Sequence, residues 1–270
     1  MTITDEELHF MDYEDLLYEK RDHVATITLN RPEAYNAFRG QTCAELVRAL
    51  ARAGYDKEIG AIVLTGAGKK AFCTGGDQSG HDGQYEGGRG IIGMPIDEVH
   101  SAIRDVPKPV VAKVRGYAIG GGNVLATISD LTVAADTAIF GQVGPKMGSI
   151  DPGFGTAYLA RVVGEKKARE MWYLCERYSA AEALEMGLVN KVVPEADLDA
   201  EVDAWCAKLV ARSPTAIALA KRSFNADTES IRGIGGLGFV GLSLYYATEE
   251  SAEGGAAQKE KRDPDFRRFA

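Results

Sequence analysis

The 270-residue chain is 45% apolar and 26% charged and carries a formal charge of −8 at pH 7. A chain of this length buries a large core, as one domain or as one domain with a small appendage, and its composition excludes extended disorder. An acidic surplus argues against a nucleic-acid partner, which requires a concentrated basic surface.

In chain order, residues 1–12 read as a loose acidic extension. They show no basic region followed by an apolar one, so no secretory signal is expected. No run approaches the ~20 apolar residues of a membrane span. Cys43, Cys73, Cys175 and Cys206 lie far apart without CxxC pairing, which predicts reduced thiols in a cytoplasmic protein with no membrane partner.

The stretch "HVATITLN" alternates and is β-branched, as a strand is. "RPEAYNAF" turns, and "GQTCAELVRALARAGYD" has apolar positions at helical spacing with Gly54 as its expected stop. "GAIVLTGAG" is the continuous apolar run of a strand buried on both faces. "IDEVHSAIRDVP" then reads as helix, "KPVVAKVRG" as strand, "GGNVLATISD" as helix and "LTVAADTAIFG" as strand. This alternation predicts a layered α/β core over residues 13–194, with crossover connections. Between them "GGRGIIGMP" is an aperiodic glycine-rich loop of the kind found beside a ligand. "FGQVGPKMGSIDPGFG" is rich in glycine and proline and reads first as a connection. After Pro152 the pattern turns helical, in "GTAYLARVVGEKKAREMWYLC", "SAAEALEMG", "LDAEVDAWCAKLVAR" and "SPTAIALAKRSFN". Residues 195–270 are expected to form a helical C-terminal region.

Two glycine clusters carry chemistry. "FCTGGDQ" follows a strand and "GYAIGGGNVLA" joins a strand to a helix. Neither has the spacing of a P-loop or of a dinucleotide fingerprint. Such junctions expose backbone N–H groups at a helix start, where the dipole favours negative charge. Facing each other they would form an oxyanion hole; taken singly they serve tight turns equally well. With "RPEAYNA", "AFCTGGD", "KPVVAKVRGYAIGGGNVLA" and "FGQV", the chain from about residue 13 to 269 resembles the crotonase (enoyl-CoA hydratase/isomerase) superfamily. The resemblance implies a ββα spiral core with a helical C-terminal trimerisation region, assembled as trimers or hexamers. It implies an acyl-CoA substrate, whose thioester carbonyl is held by the Gly76 and Gly121 N–H groups, and no metal or further cofactor.

It also bears on the reaction. Where hydratases of the superfamily carry two glutamates, this chain has Val124 and Gly144. Adding water to an enoyl thioester then lacks its usual base. Long stretches, among them "GPKMGSIDPG" and "LYYATEE", are similar to the branch containing 2-ketocyclohexanecarboxyl-CoA hydrolase and 1,4-dihydroxy-2-naphthoyl-CoA synthase. The hydrolase is the closer of the two and implies ring opening, with Asp151, Ser149 and Tyr246 at the reacting carbons and Tyr245 as the competing tyrosine. From spacing alone, Ser149 and Asp151 can equally be caps for the helix that follows. Gln142, Gly144 and Trp172 match a bicarbonate pocket of some synthases. Tyr85 is a loop aromatic placed to close over substrate, with the lone His81 nearby. Arg39 and the tail cations Lys259, Lys261 and Arg262 are candidates for the CoA phosphates, and Asp77 is expected to organise its turn.

Overall fold

The computed structural model describes residues 13–78 and 90–270. The extension 1–12, His81 and Tyr85 lie outside the described residues. The chain enters as a hairpin, β1 (Leu16–Arg21) against β2 (Val24–Leu29), closed by Asp22 and His23. Both turn residues have positive φ, 51° and 63°, the conformation whose twist matches paired strands. Helix α1 (Gly40–Tyr55) buries Cys43, Leu46, Ala49, Leu50 and Ala53 on one face. Gly54 does not stop it. A Cβ at Gly54 would lie 3.1 Å from Val106, so this glycine serves a helix contact, and Asp56 takes the cap.

A unit of two strands and a helix then repeats. β3 (Ala61–Gly66) and β4 (Ala71–Cys73) precede α2 (Ile96–Asp105), and β5 (Val110–Val114) and β6 (Tyr117–Ile119) precede α3 (Gly121–Ile128). β7 (Leu131–Ala135) and β8 (Ile139–Gly141) follow. The first strand of each unit joins one sheet and the second another. "LTVAADTAIFG" is therefore two strands in different sheets rather than one, turned at Asp136 and Thr137. β9 (Arg177–Ser179), α6 (Ala180–Glu185, counted below after α4 and α5) and β10 (Lys191–Val193) complete the sheets. One has the order β1-β2-β3-β5-β7-β10 and the other β4-β6-β8-β9, parallel except at β1/β2 and β8/β9. This is the repeating ββα arrangement that the resemblance implies.

The helix expected after Pro152 is interrupted. Phe154–Tyr158 forms a π-helical turn, α4 (Leu159–Val163) follows, and Gly164 at φ 82° breaks the chain before α5 (Glu165–Leu174). Helices α7 (Leu198–Val210), α8 (Pro214–Asp227), α9 (Ser230–Tyr245) and α10 (Glu249–Glu260) complete the chain. α7 packs Leu198, Val202 and Cys206 on Ala61, Val63, Val111, Val133 and Ala135, covering the outer face of the six-stranded sheet. The larger core lies on the opposite face of that sheet. Among the described residues, no helix is long and apolar enough to cross a membrane. The four cysteines are free, and burial pushes the thiols of Cys73 and Cys206 up to about 12 and 11.

α9 is helical despite five glycines, which individually disfavour a helix. One of them, Gly238, is needed for contact, as is Gly153 on the facing segment. A Cβ at Gly238 would fall 2.2 Å from Pro152 Cβ, and a Cβ at Gly153 would fall 2.7 Å from Gly235 Cα. The helix thus lies directly on the chain that follows Asp151.

Candidate active site

Residues that the sequence reading drew from five separate stretches line a cavity of about 1050 Å³. Its first wall is the pair of glycine loops. Phe38 N–H donates to the Gly75 carbonyl at 2.8 Å and the Phe38 carbonyl accepts from Asp77 N–H at 2.9 Å, so the loop carrying Gly76 is clamped to Phe38. Asp77 pairs with Arg31 at 2.7 Å, which holds the turn. Gly121 is the first residue of α3, where backbone N–H groups lack intrahelical acceptors. Neither the Gly76 nor the Gly121 amide donates to an acceptor among the described residues outside regular elements. The loops touch: a Cβ on Gly121 would lie 2.4 Å from Phe38 Cζ and 3.2 Å from Gly75 Cα.

The second wall is the Gly/Pro-rich run. Gly144 opens a 3₁₀ turn to Met147, Gly148 reverses the chain at φ 66°, and Ser149 N–H donates back to the Gly144 carbonyl at 2.8 Å. Gly144, which stands where hydratases carry a glutamate, leaves no vacant space for a side chain. A Cβ there would fall 2.5 Å from the Ser149 carbonyl oxygen and 2.6 Å from Trp172 Cζ3. Val124 is wholly buried in the core and is not part of the cavity wall. Gln142 and Trp172 do meet Gly144 at the cavity. Gln142 is 1% exposed with neither polar atom of its amide partnered among the described residues, whereas the Trp172 indole N–H already donates to the Gly155 carbonyl.

The floor holds three of the expected polar groups. Ser149 Oγ and Tyr246 Oη lie 2.7 Å apart, and Tyr246 is on the wall, while Tyr245 is not and interacts with Glu250. Asp151 Oδ1 accepts from Gly155 N–H at 2.9 Å, so the capping reading describes a real bond of a side chain that also reaches the cavity. That side chain is 13% exposed. Burial pushes its carboxyl up to about 7, opposed by the Gly155 hydrogen bond.

Behind Asp151 stands a residue that the sequence reading passed over. His100, on α2, is fully buried, with Nε2 3.7 Å from Asp151 Oδ2 and no hydrogen-bond partner on either ring nitrogen among the described residues. Burial pushes its imidazole down to about 3. The available signal was a polar residue set in the apolar stripe Ile96, Val99 and Ile103, a pattern that marks core packing far more often than a site.

Two proposed phosphate contacts are placed elsewhere. Arg39 caps α1 and is held by both oxygens of Asp15, each at 2.9 Å, and by Glu14, away from the cavity wall. Lys261 ends α10 in the left-handed region and is off the wall; its neighbour Arg262, paired with Glu253, is on it. The cations on the wall among the described residues are Lys146, Arg177 and Arg262. At the mouth, Arg177 lies over the Tyr117 ring at 5.4 Å.

Residues 19–268 match the family model for Enoyl-CoA hydratase/isomerase. An enoyl-CoA hydratase from Mycobacterium avium subsp. paratuberculosis K-10 is 31% identical and superposes with a TM-score of 0.84, over 94% of this chain and 99% of its own. A carnitinyl-CoA hydratase from Mycobacterium avium is 30% identical, with a TM-score of 0.79 over 93% and 97% of the two chains. A monofunctional enoyl CoA isomerase from M. smegmatis is 29% identical, with a TM-score of 0.68 over 80% and 94%.

Proposed function

The chain belongs to the enoyl-CoA hydratase/isomerase family, whose CoA-thioester chemistry it shares, and we propose that its own reaction is hydrolytic opening of a cyclic β-ketoacyl-CoA. A substrate such as 2-ketocyclohexanecarboxyl-CoA would give an open dicarboxylic acid mono-CoA thioester, here pimeloyl-CoA. One observation carries this reading: Asp151, a carboxyl that burial pushes up to about 7, lines the same cavity as the Ser149–Tyr246 hydroxyl pair. The remaining carboxylates of the wall are otherwise placed, Asp77 on Arg31 and Glu33 exposed at the mouth.

The chemistry follows from those groups. Ionised Asp151 takes a proton from water as the oxygen bonds to the ring ketone carbon, and the Ser149–Tyr246 pair donates to the resulting alkoxide. The alkoxide collapses to a carboxylic acid as the bond to the α-carbon breaks. The released pair moves into the thioester as an enolate, held by the Gly76 and Gly121 N–H groups. Protonated Asp151 then returns its proton to the α-carbon, and the new acid ionises into solvent. Lys146, Arg177 and Arg262, which line the cavity, would meet the CoA phosphates.

The test is mass spectrometry of 2-ketocyclohexanecarboxyl-CoA treated with the protein in H₂¹⁸O. One labelled oxygen in an open-chain acid is expected, and an intact ring would overturn the substrate assignment. The unpartnered Gln142 amide favours a second reading, ring closure with a small anion at that position. That reading predicts condensation of an open-chain aryl keto acid thioester, stimulated by bicarbonate.

Self-association as a trimer or hexamer is part of the same proposal. Ile234, Leu237, Val240 and Leu244 recur at helical spacing on α9 and are exposed, Leu237 to 78%. A contiguous apolar stripe of this kind marks an interface. Sedimentation at micromolar concentration is expected to show a trimer or larger species, and a monomer there would remove the assembly.

A further inference from the structure

We propose that His100 is the positioning residue for Asp151, donating its Nε2–H to the Asp151 carboxylate and thereby holding the ionised form in a site that otherwise disfavours it. This rests on the reading of Asp151 as the base and deepens it. The geometry begins with the imidazole itself. A buried polar side chain almost always finds a partner, and a buried ring with neither nitrogen satisfied calls for a reason. His100 has 0% exposure, its ring edge meets Phe154 with centroids 5.6 Å apart, and Phe239 lies on another side at 6.4 Å. The carboxylate oxygen Asp151 Oδ2 lies 3.7 Å from His100 Nε2. That separation is long for a hydrogen bond, and a small rotation of the carboxyl closes it.

The direction of the bond follows from the surroundings. The charged groups near His100 on its own helix are Asp97, Glu98 and Arg104; Arg104 sits over the Phe154 and Tyr158 rings and bonds Thr228. From the facing elements the titratable group is Asp151. Complete burial disfavours an imidazolium and pushes His100 down to about 3. A neutral ring with its proton on Nε2 can donate to a carboxylate, and its other nitrogen requires no charge. Oδ1 is already taken by Gly155 N–H. The two donors would then hold both oxygens of the carboxylate from behind, leaving their remaining lone pairs for the water in the cavity.

The experiment follows the protonation of Asp151 directly, by carboxyl-carbon NMR of protein labelled at aspartate, with the resonance assigned by its loss in Asp151→Asn. In His100→Phe, which retains the ring and removes the donor, the Asp151 midpoint is expected to rise by about one pH unit or more. In His100→Gln, whose amide restores a donor, it is expected to return toward the wild-type value. The acid limb of kcat/KM should move with the midpoint. A residue that only fills space would leave the midpoint in place in His100→Phe, and that result would overturn the proposal. A second measurement needs no variant at this position: the His100 Nε2 resonance in the wild-type protein should shift with the same midpoint as Asp151, and a flat response would equally overturn it. Neither titration uses substrate, so a negative ¹⁸O result would refute the ring-opening reading without touching this one.

Discussion

Asp151→Asn is expected to lower ring-opening turnover by about 10²–10⁴-fold, the range associated with a lost general base, while the protein remains folded and gains stability above neutral pH. The fold is retained because asparagine keeps an oxygen where Asp151 Oδ1 accepts from Gly155 N–H. The gain comes from linkage. Burial raises the native carboxyl from 3.8 to about 7, so the native state binds its proton more tightly than the unfolded chain does. The corresponding stability is fully present below pH 3.8 and is lost as pH rises through about 7. Above that, the wild-type protein carries a cost of roughly 4 kcal/mol that asparagine avoids. Urea unfolding at pH 5 and pH 8 should show a larger advantage for the variant at pH 8. Wild-type turnover in the variant would remove Asp151 from the mechanism.

The expected asymmetry between the loss of rate and the gain in stability is what marks a functional group rather than a structural one. A capping aspartate ordinarily stabilises its helix. Here the same bond to Gly155 is made by a carboxyl kept where its charge is disfavoured. Ser149 and Tyr246 support that reading. The serine comes from the Gly/Pro-rich run and the tyrosine from the end of α9, 97 residues later, and they meet at 2.7 Å. That meeting depends on glycines with no chemistry of their own: Gly153 and Gly238 let α9 lie against the segment that follows Asp151.

How far this was legible in the sequence varied with the length of the signal. The buried strand Ala61–Gly66 and the amphipathic helix Gly40–Tyr55 could be read because each repeats its pattern over several residues. β4, β6, β8 and β9 have three residues each, too few for any periodicity, so the second sheet was invisible and β7 and β8 read as one strand. α9 falls inside the helical region expected from residue 195 onwards, but its five glycines, poor helix formers, gave no sign of its bounds or of the contact Gly238 makes with Pro152. At the site, Gly76, Gly121, Ser149, Asp151 and Tyr246 could be named from motifs and are brought to one cavity. His100 could not, because its meaning lies in a 3.7 Å approach across 51 positions that no local pattern encodes. Arg39 was misplaced for the opposite reason: an arginine beside a motif suggested a ligand contact, whereas Asp15 lies close enough to hold its guanidinium.

Gly121→Ala is expected to lower kcat by about 10²–10³-fold, the effect of losing one oxyanion-hole donor, and the steric route to that loss passes through both halves of the hole. The new methyl would lie 2.4 Å from Phe38 Cζ, a separation real Cβ atoms do not tolerate, so either α3 or the ring must move. Phe38 is buried, with its backbone bonded on one side to Gly75 and on the other to Asp77. Displacing the ring therefore pulls on the loop that presents Gly76, while displacing α3 moves the Gly121 amide itself. Either response separates donors that must converge on one oxygen. Phe38→Leu, with a shorter side chain that ends before the clash, should recover part of kcat when combined with Gly121→Ala. On its own it should cost stability through the cavity it leaves. Steady-state kinetics and urea unfolding on the three variants separate the two effects. Unchanged kcat in Gly121→Ala would place the thioester oxygen elsewhere, whereas a rate loss without recovery in the double variant would assign the defect to α3 rather than to the ring.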